Sequence, residues 1–161
     1  MKTLYIVRHA KSSWSQSGLS DFERPLNDRG NRDKKTMGKR LADQHVEIDL
    51  IISSSAKRTT QTTYGLVKEM NFDSSNISFF DELYHAGVSV LLNTVCKTPD
   101  SVSKLMLVGH NPGVSSFCGY LCGFLTDFPT LGIVKINFEI DSWEEVSAET
   151  GVLEWYDYPK K

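Results

Sequence analysis

Four residues of this sequence sit where chemistry is done. Arg8 and His9 follow the apolar run 4–7, Arg58 follows the run 49–53 by a few residues, and His110 follows the run 105–108. Two guanidiniums and two imidazoles at the ends of short apolar runs suit a dianion, because the planar guanidinium fork matches phosphate oxygens. A nucleophilic imidazole has to be neutral. Free histidine titrates near pH 6.5, and neighbouring arginines disfavour the imidazolium. His9, beside Arg8, is therefore the candidate nucleophile. His110 lies in Gly109-His110-Asn111-Pro112-Gly113, a turn into a helix whose free N–H groups add anion affinity; it is the candidate hydrogen-bond donor to phosphoryl oxygens. Arg8, Arg58 and His110 form the candidate phosphate-binding set. A metal held by the two histidines would have two arginines repelling it, so neither a metal nor another cofactor is expected. One histidine at a strand end is most often structural; it is the four together that suggest chemistry.

The elements that must position them can be read from periodicity. Residues 4–7 are a continuous apolar run, as in a strand buried on both faces of a parallel sheet. A polar loop, 11–24, closes on Pro25. Asn27 is a plausible N-cap for a helix to about Asp43, with Met37, Leu41 and Ala42 inward and with Gly30 and Gly38 weakening its propensity. A strand at 49–53, a helix at about 56–69 and a strand at 77–80 follow. Val88, Leu91, Leu92 and Val95 recur at helical spacing, then come a strand at 105–108 and a helix at about 114–124. Val134, Ile136, Phe138 and Ile140 alternate with polar residues, and 152–156 reads as a last strand. Four βα units and two final strands predict a three-layer α/β/α sandwich, with a mainly parallel sheet of about six strands, in a single domain over 1–161. Ligands bind beyond the carboxyl ends of such strands. That edge collects Arg8-His9, the stretch from Ser53 to Arg58, the stretch from Asp81 to His85, and Gly109-His110.

Composition narrows the partners. Eighteen Lys and Arg against 20 Asp and Glu give a net charge of −2, without the basic excess of general nucleic-acid binding. No window approaches the roughly 18 apolar residues of a membrane span. Three cysteines cannot close a disulfide framework, and Cys118 and Cys122, four apart in a helical stretch, read as small buried side chains. No signal peptide is legible in the first residues, and a cytoplasmic location is expected.

Arg8-His9-Ala10 resembles the Arg-His-Gly motif of the histidine phosphatase superfamily, the phosphoglycerate mutase-like group. The run from Ser53 through Arg58 to Gln61-Thr62 resembles its second motif, and Gly109-His110-Asn111-Pro112 its third. The stretch Arg-His-Ala-Lys-Ser-Ser-Trp, 8–14, and the stretch 21–30 with Arg24-Pro25-Leu26-Asn27 are similar to the SixA-type phosphohistidine phosphatase branch. The resemblance covers residue 3 to about 125 and implies a phosphoglycerate mutase-like fold. It makes Arg8, His9, Arg58 and His110 the catalytic quartet, with His9 transiently phosphorylated. Ala10 stands where Gly is commoner, and Ser55 where Pro is frequent. Many members carry a Glu or Asp after the third strand as general acid, which by resemblance makes Glu82 the candidate, against a purely structural or solvated carboxylate. His85 matches no motif and reads as a pocket-rim or surface residue.

The short connection 81–103 leaves no room for a large cap and predicts an open site. An open site suits a phosphoryl group presented by a protein, such as a histidine phosphotransfer domain, and a departing imidazole needs less protonation than an alkoxide. The expected activity is hydrolysis of phosphohistidine on a protein. Its alternatives are a phosphomonoesterase for a small metabolite and a catalytically idle module that binds phosphorylated partners.

Overall fold

The computed structural model describes residues 1–161. Its six strands are β1 (Lys2–Arg8), β2 (Leu50–Ser54), β3 (Ile77–Phe80), β4 (Lys104–Gly109), β5 (Ile133–Phe138) and β6 (Gly151–Asp157). They form one sheet in the order β3-β2-β4-β1-β5-β6. Neighbours from β3 to β1 are parallel, and β5 runs antiparallel to both β1 and β6. Four helices cover the sheet: α1 (Asp28–Asp43), α2 (Lys57–Met70), α3 (Val88–Cys96) and α4 (Gly113–Cys122).

Alternation along the strands explains the three layers. Tyr5, Val7, Ile51, Met106 and Val108 face α1 and α2 and pack with Met37, Leu41 and Leu66. Leu4, Ile6, Ile52, Leu105 and Leu107 face α3 and α4 and pack with Leu91, Val95, Phe117 and Leu121. The central strands have apolar residues on both faces because both faces are covered. This is the phosphoglycerate mutase-like α/β/α sandwich.

The chain departs from the periodic reading mainly where elements are too short to have a period. Asp21–Glu23 is a 3-10 turn inside the polar loop, and Ser12 and Leu26 form an isolated bridge that ties the loop's ends together. Strand β5 stops at Phe138 rather than Ile140. Beyond it a 3-10 turn, Trp143–Glu145, buries Trp143, whose indole N–H donates to the Val102 carbonyl at 2.7 Å. At the start of α1 the Asn27 side chain accepts from the Gly30 N–H at 2.9 Å, as the capping pattern predicts. Gly30 itself is required: a Cβ there would collide with the Lys11 carbonyl oxygen.

Register levels the strand ends. Arg8 pairs with Gly109, and Ser53 with Val108. The carboxyl ends of β1, β4 and β2 therefore lie side by side.

Candidate active site

His9 leaves the tip of β1 with its backbone pinned on both sides. Its N–H donates to Gly109 O at 3.1 Å, and its carbonyl accepts from Leu131 N at 3.0 Å. The ring is buried, and Nδ1 lies 2.7 Å from the Ala10 carbonyl oxygen. A carbonyl can only accept, so Nδ1 carries the hydrogen and Nε2 holds the lone pair. That lone pair faces Arg58, whose Nε donates to it at 3.3 Å. Burial is the main cause that lowers the His9 pKa to about 4; the bond to Ala10 opposes it, and Arg58, Arg8 and Arg24 add to it. The imidazole is neutral at physiological pH.

His110 leaves β4 beside it, with ring centroids 5.2 Å apart. Its Nε2 lies 2.9 Å from Ser54 Oγ at the end of β2. Ser54 Oγ also accepts from Ala56 N at 3.3 Å; with its hydroxyl hydrogen turned to Nε2, the ring hydrogen of His110 sits on Nδ1. That Nδ1 is buried and has no partner in the protein, as has Arg8 Nε. Arg8 is held instead through Nη1, which donates to Phe128 O at 2.7 Å. Burial, then His9, Arg58 and His85, push the His110 pKa down to about 2.

Arg58, in the first turn of α2, is 3% exposed. Its Nη1 donates to Asp21 O at 2.6 Å and its Nη2 to Asp21 Oδ2 at 3.0 Å. Asp21 in turn accepts from Arg24 at 2.8 Å and from the Tyr84 hydroxyl. Burial would raise its pKa, but the bonds from Tyr84, Arg24 and Arg58 outweigh burial and hold the carboxyl well below the usual carboxylate range. Arg24 completes the strap: it bonds Ser12 Oγ and Ser13 O and lies over the Trp14 ring, 3.2 Å from its centroid.

The structure thus brings Arg8, His9, Arg58 and His110 together. It does not bring Glu82 to them. Asp81–Leu83 form a 3-10 turn in which Asp81 bonds Ser55 and Leu83 enters the core. Glu82 is left exposed, lining a groove of about 920 Å³ with Phe80, Val90 and Thr94. His85 lies at the rim, as expected, but within reach of Arg58: its Nε2 is 3.2 Å from Arg58 Nη2. Sequence reasoning missed Asp21, Tyr84 and Ser54. The spacing of Asp21 to Arg24 in a polar loop was the available signal for the first, and the serine run 53–55 at a strand exit for the last. No three His, Cys, Asp or Glu side chains are grouped so as to hold a metal ion. No helix is long and apolar enough to cross a membrane.

A neutral buried imidazole flanked by two guanidiniums, beside a second imidazole with an unpartnered ring nitrogen, has the chemistry to take up a dianion next to a nucleophile. Residues 4–86 match the histidine phosphatase superfamily, branch 1. An uncharacterized chloroplastic protein of Arabidopsis thaliana is 30% identical over 163 residues, covering 96% of this chain and 74% of its own. A crystal structure assigned to the phosphohistidine phosphatase SixA of Agrobacterium tumefaciens superposes with a TM-score of 0.85 at 28% identity, over 98% of both chains. The fold is shared with a protein histidine phosphatase SixA complexed with tungstate, at 24% identity and a TM-score of 0.84, over 98% of this chain and 97% of that one. The chain belongs to the histidine phosphatase superfamily, and its likeness is to the SixA type. Family and likeness together make it a phosphatase.

Proposed function

We propose that the protein removes the phosphoryl group from phosphohistidine on a protein, through a phosphohistidine intermediate on His9. The observation that carries this reading is the His9 ring, buried and neutral, with its hydrogen fixed on Nδ1 and its lone pair on Nε2. In the proposed reaction Nε2 attacks phosphorus, and the P–N bond to the substrate imidazole breaks with its electron pair leaving on that imidazole. Water then attacks the phosphorus, the pair returns to Nε2, and inorganic phosphate departs. Arg8, Arg58 and His110 are assigned to the phosphoryl oxygens; Arg8 Nε and His110 Nδ1 have no partner in the protein, and Nδ1 donates when the Ser54 hydroxyl turns to Nε2. The guanidiniums supply the positive charge, so the reaction runs without a metal ion.

The substrate class has two supports. One is the SixA-type likeness; the other is the short connection after β3, which builds α3 onto the core rather than a cap over the site. A departing imidazole also needs less protonation than an alkoxide, in keeping with a Glu82 turned to another groove. A phosphorylated histidine phosphotransfer domain is a partner of this chemistry.

Rapid quench with a labelled phosphohistidine protein should trap an acid-labile, base-stable phosphate on His9. His9→Ala should be folded and inactive, and EDTA should change nothing. Higher kcat/KM for a small phosphoester than for the phosphohistidine protein would make the protein a metabolite phosphomonoesterase instead. Binding without any trapped phosphoenzyme would make it a phosphate-binding module.

A further inference from the structure

The hydrolysis of a phosphoenzyme needs a group that accepts a proton from the attacking water, and the residues around the quartet differ in their fitness for it. His110 is pushed too low to hold a proton near neutrality, and Asp21 is kept ionised by three hydrogen-bond donors. Burial and the Asp21 carboxylate push the Tyr84 phenol upward. Glu82 faces the groove beside α3, and Asp81 is occupied by Ser55.

His85 is differently placed. One nitrogen, Nε2, lies 3.2 Å from Arg58 Nη2 and 3.5 Å from Asp21 Oδ2. The Arg58 N–H is a donor that suits the neutral ring. The Asp21 carboxylate is an acceptor that suits the protonated ring. The same atom therefore has a partner in either state, which an acid/base group needs and a purely structural histidine does not. The ring is held for this role. It stacks on Tyr84 with centroids 4.1 Å apart, meets His110 edge-on at 5.2 Å, and its backbone takes φ of +52°, a strained value for a residue with a Cβ. Its side chain is 53% exposed, so water reaches it while it touches the buried Arg58. Tyr84, which supports it from below, is itself bonded to Asp21. Arg58, Asp21, Tyr84 and His110 are the titratable and charged groups that face it.

We infer that His85 is the proton-transfer residue of this site, donating from Nε2 to the leaving group and then taking a proton from the attacking water. The inference rests on the phosphohistidine-enzyme reading of His9. In the first half-reaction the P–N or P–O bond of the substrate breaks as the His9 Nε2–P bond forms, and protonated His85 gives its hydrogen to the departing atom. In the second, water oxygen bonds to phosphorus, its proton passes to neutral His85, and the His9–P bond breaks with its pair returning to Nε2. His85 ends as it began.

The test isolates the second half-reaction. Wild type, His85→Gly and His85→Gln are phosphorylated with phosphoramidate, and decay of the phosphoenzyme is followed by quench. Glycine takes φ of +52° without strain, so His85→Gly keeps the backbone. Both variants should form the phosphoenzyme and lose it about 100-fold more slowly than wild type. Added imidazole should restore the decay of His85→Gly. Decay within threefold of wild type in either variant, or no rescue by imidazole, would overturn the assignment. A wild-type enzyme that forms no phosphate adduct on His9 would instead remove the reading of His9 on which it stands.

Discussion

Arg58 engages all three of its nitrogens: Nε with His9, both Nη atoms with Asp21, and Nη2 also with His85. A point charge on a flexible stem reproduces none of that geometry. Arg58→Ala should therefore lower kcat/KM about 100- to 1,000-fold, the usual cost of one well-aimed donor in a transition state. Arg58→Lys should recover little of it. Steady-state rates on a phosphohistidine protein decide the matter, and an Arg58→Ala enzyme within a few-fold of wild type would mean that the fork serves only to fasten Asp21. Arg58 could be found from sequence because it follows a buried strand in a motif. For Asp21 the sequence offered only its spacing to Arg24; its partners Arg58 and Tyr84 are 37 and 63 residues away, and no local pattern marks a carboxylate for a distant guanidinium.

At the scale of elements, the apolar runs and the helical spacing located the strands and helices because each is long enough to repeat its period. The 3-10 turns Asp21–Glu23 and Asp81–Leu83 are a single turn each, and they decide that Asp21 faces the site and Glu82 does not. Glycines also read differently in the fold. As helix residues they cost propensity, yet Gly113, where α4 begins, stands where a Cβ would collide with the Ala86 carbonyl oxygen. The start of α4 and the segment carrying His85 therefore touch backbone to side-chain position, with no slack. Gly113→Ala should destabilise the protein by about 1–3 kcal/mol, the range for overpacking a tight contact. Because Ala86 adjoins His85, the same change should slow phosphoenzyme decay. Chemical denaturation and quench measurements on one preparation would test both, and unchanged stability would show that the 86–87 backbone yields freely.

For the molecule as a whole, the alternation of β and α units foretold the three layers and the mainly parallel sheet, since only covered sheets have strands apolar on both faces. Strand order was not legible; it depends on pairings such as Arg8 with Gly109, which join residues distant in the chain. Enclosing two neutral histidines at the sheet's edge has a thermodynamic consequence. An unfolded histidine titrates near pH 6.5, whereas folded His9 and His110 titrate near 4 and near 2. Between those values the unfolded chain binds the extra protons. The contribution of each ring to stability is therefore complete above about pH 6.5 and is lost as pH falls toward the folded value, by at most about 1.4 kcal/mol per pH unit per ring. Urea denaturation from pH 6 to pH 4.5 should show this slope, and His110→Asn should make it shallower by up to one ring's share. An unchanged slope would mean that His110 is hydrated in the folded protein.

The guanidinium of Arg24 lies over Trp14, an indole that is 77% exposed, while Arg24 also grips Asp21 and Asp21 grips Arg58. Contacts thus run unbroken from the anion site to a fluorophore at the surface. An oxyanion that draws on Arg58 should loosen Asp21 and, through Arg24, alter the quenching of Trp14, while Trp143, sealed in the core, emits unchanged. Titrating inorganic phosphate should change the emission intensity with a saturating profile in wild type and leave Trp14→Phe silent. An equal response from both proteins would place the signal elsewhere. With the response confined to wild type, the strap doubles as an optical gauge of site occupancy, readable without turnover and without any label.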